Sequence, residues 1–269
     1  MKRAAFALLL LLSSNTNLHA QAPFYQGQTV RIIVGYLAGD AYDLWARIFA
    51  QYMGKYMPGN PSFIVQNMTG GGGLIAANYV YGVAKADGLT LGALGPWIYF
   101  DQLAGRKEVQ FDWSKFTWIG TPEQTDSILV MRMDSPYKSI EAIRKAAEPP
   151  KCGAPGTSTT SYYVPKFLEE NIGAKFNIVT GYPGGNEVDL GIERGELHCR
   201  TMTISTYFAR EPYLTWHKNG FVRPLMQTPK KRDGRIPDVQ TIHEVMDQYN
   251  VVRLGQRHKR ILGQVPVRA

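Results

Sequence analysis

The sequence predicts an α/β protein of two lobes, each a mainly parallel sheet flanked by helices. Short β-branched apolar runs alternate with segments whose apolar residues recur at helical spacing. A β-α-β-α-β succession occurs once in the first half of the chain and a similar alternation follows, which favours parallel strands joined by crossover helices. The chain of 269 residues is 44% hydrophobic, with 15 Tyr, 11 Phe and 5 Trp, enough to bury a core and to exclude wholesale disorder.

The elements follow in order. Thr29 to Gly35 (TVRIIVG) reads as a buried strand, ending in the loop Tyr36-Leu37-Ala38-Gly39-Asp40. Leu44, Ile48, Tyr52 and Met53 then recur at helical spacing, with Asp43 in the first turn, where a carboxylate complements the helix dipole. The helix stops near Gly54 to Gly59. Pro61 to Gln66 is a second strand. Gly70-Gly71-Gly72-Gly73 turns into a helix through Leu74, Ala77, Val80 and Tyr81, and Leu89 to Leu94 is a third strand. In the second half, strands are expected at Ser127 to Met131, Lys151 to Ala154, Phe176 to Thr180 and Leu197 to Ile204. Helices are expected at Ile140 to Ala147, Tyr162 to Asn171 and Val188 to Arg194. Two such units imply a cleft between lobes, where ligands usually bind.

The N-terminus reads as an export signal over residues 1–20: Lys2 and Arg3, the apolar run Ala4 to Leu12, then small residues at Ala20 and Ala22. Removing Lys2 and Arg3 takes the formal charge from +8 to +6. Arg253, Arg257, Lys259, Arg260 and Arg268 crowd the C-terminal end as a solvated basic tail. An exported protein without interleaved aromatic and basic residues is not a nucleic-acid binder.

Motif chemistry is sparse. The five His show no HxxxH or HExxH spacing, there is no GxSxG elbow, and two Cys exclude a four-thiolate metal site. No metal, cofactor or catalytic residue is therefore expected. The four glycines at Gly70 to Gly73 lack the Lys-Ser/Thr of a phosphate loop. They read either as a tight strand-to-helix turn or as backbone amides offered to an anion. Three loops stand out together: Tyr36 to Asp40, Pro155 to Thr160 and Tyr182 to Asn186. Each follows a strand and precedes a helix, a ready site for carboxylates. Cys152 and Cys199 start two strands. Strand pairs seldom offer disulfide geometry, so two buried thiols are expected, with a bridge, which an exported context permits, as the alternative.

These loops carry a family likeness. TVRIIVGYLAGDAYD (29–43), FIVQNMTGGGGLIAANYVYGVAKADGLTLG (63–92), FTWIG (116–120), GYPGGNEVDLGIERGELHCR (181–200) and IPDVQTIHE (236–244) resemble the substrate-binding proteins of tripartite tricarboxylate transporters, the Bug family. The likeness covers about residues 25–245. It implies a type II periplasmic-binding-protein architecture closing like a flytrap, with a signal at 1–20, lobe 1 over 21–125, lobe 2 over 126–222 and a return segment toward lobe 1 over 223–269. Hinges are expected near 120–128 and 220–226. It implies a monomeric periplasmic receptor that hands a small organic carboxylate to a membrane permease and catalyses nothing. Carried over by position, the ligand would meet Tyr36, Leu37, Ala38, Gly39, Asp40 and Asp43, then Gly95 and Pro96. From the second lobe come Gly156, Thr157, Ser158 and Thr159, then Tyr182, Pro183, Gly184 and Gly185. Asp189 would cap or orient the last of these loops.

Two departures stand out. The family's first loop usually has Gly-Gly where Gly39-Asp40 stand here, so a carboxylate sits where an anion should dock. The family also continues with helices that pack back on lobe 1, where this sequence gives RLGQRHKRILGQVPVRA. A truncated, non-binding paralogue and an enzyme using the same cleft remain the alternatives.

Overall fold

The computed structural model describes residues 22–123 and 126–251. The expected export signal and the basic cluster from Arg253 to Arg268 lie outside the described residues.

A parallel three-stranded sheet forms first, in the order β2-β1-β3: β1 (Thr29–Val34), β2 (Ser62–Asn67) and β3 (Thr90–Ala93). Its crossovers are α1 (Ala41–Tyr52) and α2 (Leu74–Gly82), followed by the short α3 (Ile98–Leu103). Ile32, Val34 and Tyr36 bury against Ala46 of α1, while Leu74 and Ala77 of α2 pack with Ile98 and Phe111. The β1 run is apolar at nearly every position because helices cover both faces of a parallel sheet.

The second sheet has five strands in the order β6-β5-β7-β4-β8. They are β4 (Ser127–Arg132), β5 (Lys151–Gly153), β6 (Asn177–Val179), β7 (Cys199–Thr203) and β8 (Val222–Gln227). β5 runs parallel to β6 and β7, and β4 runs against β7 and β8. Its helices are α4 (Ile140–Lys145), α5 (Thr160–Ile172), α6 (Gly185–Glu193), α7 (Ile204–Ala209), α8 (Tyr213–Asn219) and α9 (Ile242–Gln248). Successive β4 residues serve opposite faces, as a period of two requires. Leu129 and Met131 pack with α4, α5 and α9; Ile128 and Val130 pack with α6, α7 and α8.

Two local expectations are corrected. α6 starts at Gly185, not Val188, because its fold places two poor helix formers inside the first turn. Of the return segment expected over 223–269, the described part up to residue 251 lies with the larger sheet: β8 pairs with β4, and Val245 and Met246 of α9 bury beside Leu129 and Ile143. Cys152 and Cys199 are not free thiols but a disulfide. They are the one registered pair between β5 and β7, and their Cα atoms lie 4.5 Å apart, just inside the range a bridge accepts.

The α9 end is tied down by Glu141. Its carboxylate accepts from the Tyr249 hydroxyl, from Arg144 at 2.8 Å and from Lys145 at 3.1 Å, and Arg144 stacks over the Tyr249 ring. These bonds, Tyr249 first, pull Glu141 down from 4.5 to about 2. A lowered carboxyl stabilises the fold above its ordinary value and loses that contribution as pH falls toward the lowered one. The melting temperature is therefore expected to fall between pH 4.5 and 2, and Glu141→Gln should flatten that fall. Parallel slopes for both proteins in pH-dependent melts would refute the assignment.

Candidate functional site

The loops after β1, β3 and β5, the start of α6 and the end of β7 line one cleft of about 1730 Å3. The first loop is shaped by Asp43. Its buried carboxylate accepts from the Gly39 amide at 2.8 Å, from Asn67 at 2.8 Å and from Arg47 at 2.7 Å. Burial pushes that carboxyl up, but the hydrogen bonds from Arg47, Gly39 and Asn67 outweigh it and hold it below the usual range. Asn67 also donates to the Tyr36 carbonyl, locking β2 to the loop. The Tyr36 ring stacks on Tyr42 at 4.5 Å, and its hydroxyl donates to the Gly72 carbonyl at 3.1 Å.

Asp40 behaves differently. It holds the N-cap position of α1, where an aspartate normally accepts from the first-turn amides, yet its side chain makes no cap bond. The carboxylate reaches across the cleft instead and accepts from the Gly185 amide at 3.4 Å, the first residue of α6. Only 6% of Asp40 is exposed. Burial raises its carboxyl, opposed by Arg200, the Gly185 amide and Arg210.

The wall behind is built on Arg200 of β7, which is 7% exposed. Its Nη1 donates to Asp189, to the Gly185 carbonyl at 2.7 Å and to the Tyr213 hydroxyl at 3.1 Å, and Tyr213 in turn donates to Asp189. Burial pushes Asp189 up, while Arg200 and Tyr213 draw it down. Among the described residues, Arg200 Nε and the Thr201 hydroxyl are buried without a partner; both residues line the cleft, but as neighbours on β7 they project from opposite faces of the sheet. A buried N–H or O–H without a partner is costly. Trp97 Nε1, on the opposite side of the cleft, is likewise buried and unpartnered.

The two sheets' loops are in contact. Arg210 donates to the Gly39 carbonyl at 3.0 Å and to Asn186. Tyr163 of α5 donates to the buried Asp101 of α3 at 2.7 Å, and Arg106 bridges Asp101 to Thr157. The glycine turn explains itself here. A Cβ at Gly156 would stand 2.5 Å from the Gly72 nitrogen, and one at Gly72 would stand 2.8 Å from Thr159 Cγ2. Both positions are glycine because two backbones meet, and Gly72 also adopts a φ of +70°.

The sequence-derived positions divide accordingly. Tyr36, Asp40, Pro96, Thr159 and Gly185 line the cleft. Tyr182 and Pro183 line a separate, smaller cavity of about 190 Å3 behind the loops. Gly156, Thr157, Ser158 and Gly184 lie in contacts between the loops, with Gly184 against the Asp40 carboxylate. Asp43 and Asp189 are enclosed in the networks above, Gly95 packs beneath the Tyr36 hydroxyl, and Leu37, Ala38 and Gly39 lie along the outer part of the loop. Sequence reasoning missed Arg200, Thr201, Arg210 and Tyr213. One signal was available for the first: an arginine inside the strand run from Leu197 to Ile204, where a charge demands a partner.

A cleft between two α/β sheets, walled by a buried arginine and bordered by strand-end loops, defines the class of two-lobed ligand-binding proteins. Comparison with known proteins narrows it. The family described as "Tripartite tricarboxylate transporter family receptor" matches residues 46–255, and the chain belongs to it. A protein of Cupriavidus necator, the "UPF0065 protein in gbd 5'region", is 30% identical over 231 residues, 84% of this chain and 67% of that protein. Two solved structures share the fold. The periplasmic binding protein BugD is 20% identical with a TM-score of 0.67, over 82% of this chain and 72% of BugD. MatC from Rhodopseudomonas palustris with bound malate is 21% identical with a TM-score of 0.69, over 82% of this chain and 74% of MatC. The protein is thus a solute-binding receptor of the tripartite transporter type. Receptors of this family are periplasmic binding proteins, and among the described residues no helix is long and apolar enough to cross a membrane.

Proposed function

We propose that this receptor captures a small organic acid in the cleft between lobe 1 (21–125) and lobe 2 (126–222) and releases it unchanged to a membrane permease. One observation carries the reading. Arg200 Nε is a buried donor on the cleft wall with no partner among the described residues, and a carboxylate would satisfy it. The malate bound by MatC is an acid of this class. Tyr36, Asp40, Pro96, Thr159 and Gly185 border the ligand in this reading. The buried carboxylates of Asp43 and Asp189 are each committed to an arginine, which leaves them to structure rather than to proton transfer. The chain works as a monomer after export through its N-terminal signal, and its lobes close about the connections near 120–128 and 220–226.

Thermal-shift and calorimetric screening against mono- and dicarboxylates, aromatic acids and amino acids tests this. A ligand at a hundred times its Kd stabilises by about 2.7 kcal/mol, a rise in melting temperature of about 5 °C or more for a chain of this size. A folded, mature protein that gives neither heat nor a shift with any of these compounds would overturn the proposal.

A further inference from the structure

The fold provides an anion cradle at the start of α6, and the chain fills it with its own side chain. Gly185 offers its amide at the first position of a nine-residue helix, where the dipole favours negative charge. The Arg200 guanidinium lies beside the same spot: a Cβ at Gly185 would stand 3.0 Å from Arg200 Nη2 and 3.3 Å from Asp40 Oδ1. Asp40 gives up its own cap position to occupy it.

The charge balance follows. Asp40, Glu187 and Asp189 meet Arg200 and Arg210 around the start of α6. Three carboxylates against two guanidiniums leave no positive excess. Glu187 Oε2, which with the Asp40 carboxylate flanks Gly184, is buried without a partner among the described residues. A second anion placed here would be repelled at short range in a poorly screened site. A donor placed here would instead satisfy Asp40, whose carboxylate accepts only from the Gly185 amide among the described residues and so keeps lone pairs free.

We propose that Asp40 is a specificity-determining residue: it replaces a ligand carboxylate in the α6 cradle, so the receptor selects a monocarboxylate bearing an amide or ammonium group over the corresponding dicarboxylate. The proposal rests on the cleft being the binding site for an organic acid. The ligand's carboxylate meets Arg200 Nε, and its N–H donor faces Asp40.

The test is calorimetric titration of the wild-type protein, Asp40→Asn and Asp40→Gly. The ligands are succinate, succinamate and 4-aminobutanoate, together with terephthalate and its monoamide. The wild-type protein should bind the amide or ammonium member of a series at least about tenfold more tightly than the diacid. Asp40→Gly should reverse that order, because it empties the cradle and removes one negative charge. Asp40→Asn, with nearly the same shape, should lose the ammonium preference. It also guards against a folding defect in the glycine variant, which far-ultraviolet circular dichroism and a melt would reveal. Tighter binding of the diacid by the wild-type protein, or an unchanged order in both variants, overturns the role of Asp40 and leaves the cleft assignment standing. No binding of any member by any of the three folded proteins overturns both.

Discussion

Replacing Arg200 by Met should cost the protein both its ligand and a large part of its stability. In the wild-type structure the guanidinium holds Asp189, the Gly185 carbonyl and Tyr213 together in a site closed to solvent. Removing one partner of a buried pair strands the other, at about 3–5 kcal/mol. For a chain of this length that is a fall in melting temperature of about 10 °C. Binding should weaken about a hundredfold, the worth of a lost charge-assisted hydrogen bond in a dry site. The two effects are separable. The double variant Arg200→Met/Asp189→Asn removes both charges and should recover much of the stability, yet ligand affinity should stay low. Arg200→Lys keeps the charge but not the fork, and cannot reach Asp189, Gly185 and Tyr213 at once. Unchanged affinity in Arg200→Met would show that the arginine is structural only.

The fold was largely legible because its signals are local. β1 is a run of β-branched residues bounded by a glycine, and α1 shows apolar residues at helical spacing. The short helices were not. Ile98–Leu103, Ile204–Ala209 and Tyr213–Asn219 span less than two full turns each and owe their form to burial of Ile98, Tyr207 and Trp216, which no window of sequence displays. α9 did carry a readable signal: Thr241 and Glu244 form a reciprocal capping box, the S/T-x-x-E pattern that marks a helix start.

The candidate site was legible by its loops and not by its charges. Strand-end position picked out Tyr36, Asp40, Thr159 and Gly185, because backbone topology decides which loops face the cleft. It could not separate Gly185, which lines the cleft, from Gly156, which is pressed against the Gly72 nitrogen. That distinction depends on how the two sheets meet, information held by pairs of residues far apart in sequence. Arg210 illustrates the same limit: its partner Gly39 lies 171 positions away.

Breaking the Cys152–Cys199 bridge should be the second large effect. The bridge joins residues 47 positions apart, and the segment between them contains α5, β6 and α6. On the chain-entropy account, releasing a loop of that length destabilises the fold by about 4 kcal/mol, or about 10 °C in melting temperature. Cys152→Ala/Cys199→Ala should show that loss, and a reductant should impose it on the wild-type protein while leaving the double variant unchanged. Equal melting temperatures for the wild-type protein with and without reductant, after mass spectrometry has confirmed reduction, would sink the prediction. Affinity should follow stability here. The Gly156–Thr159 loop leaves the end of β5, and Arg200 follows Cys199 directly on β7. The bridge joins the one registered residue pair between those two strands, beside hydrogen bonds between Lys151 and His198, so it helps to hold Arg200 and the Gly156–Thr159 loop at a fixed separation. A reduced protein should therefore bind more weakly at temperatures well below its melting transition.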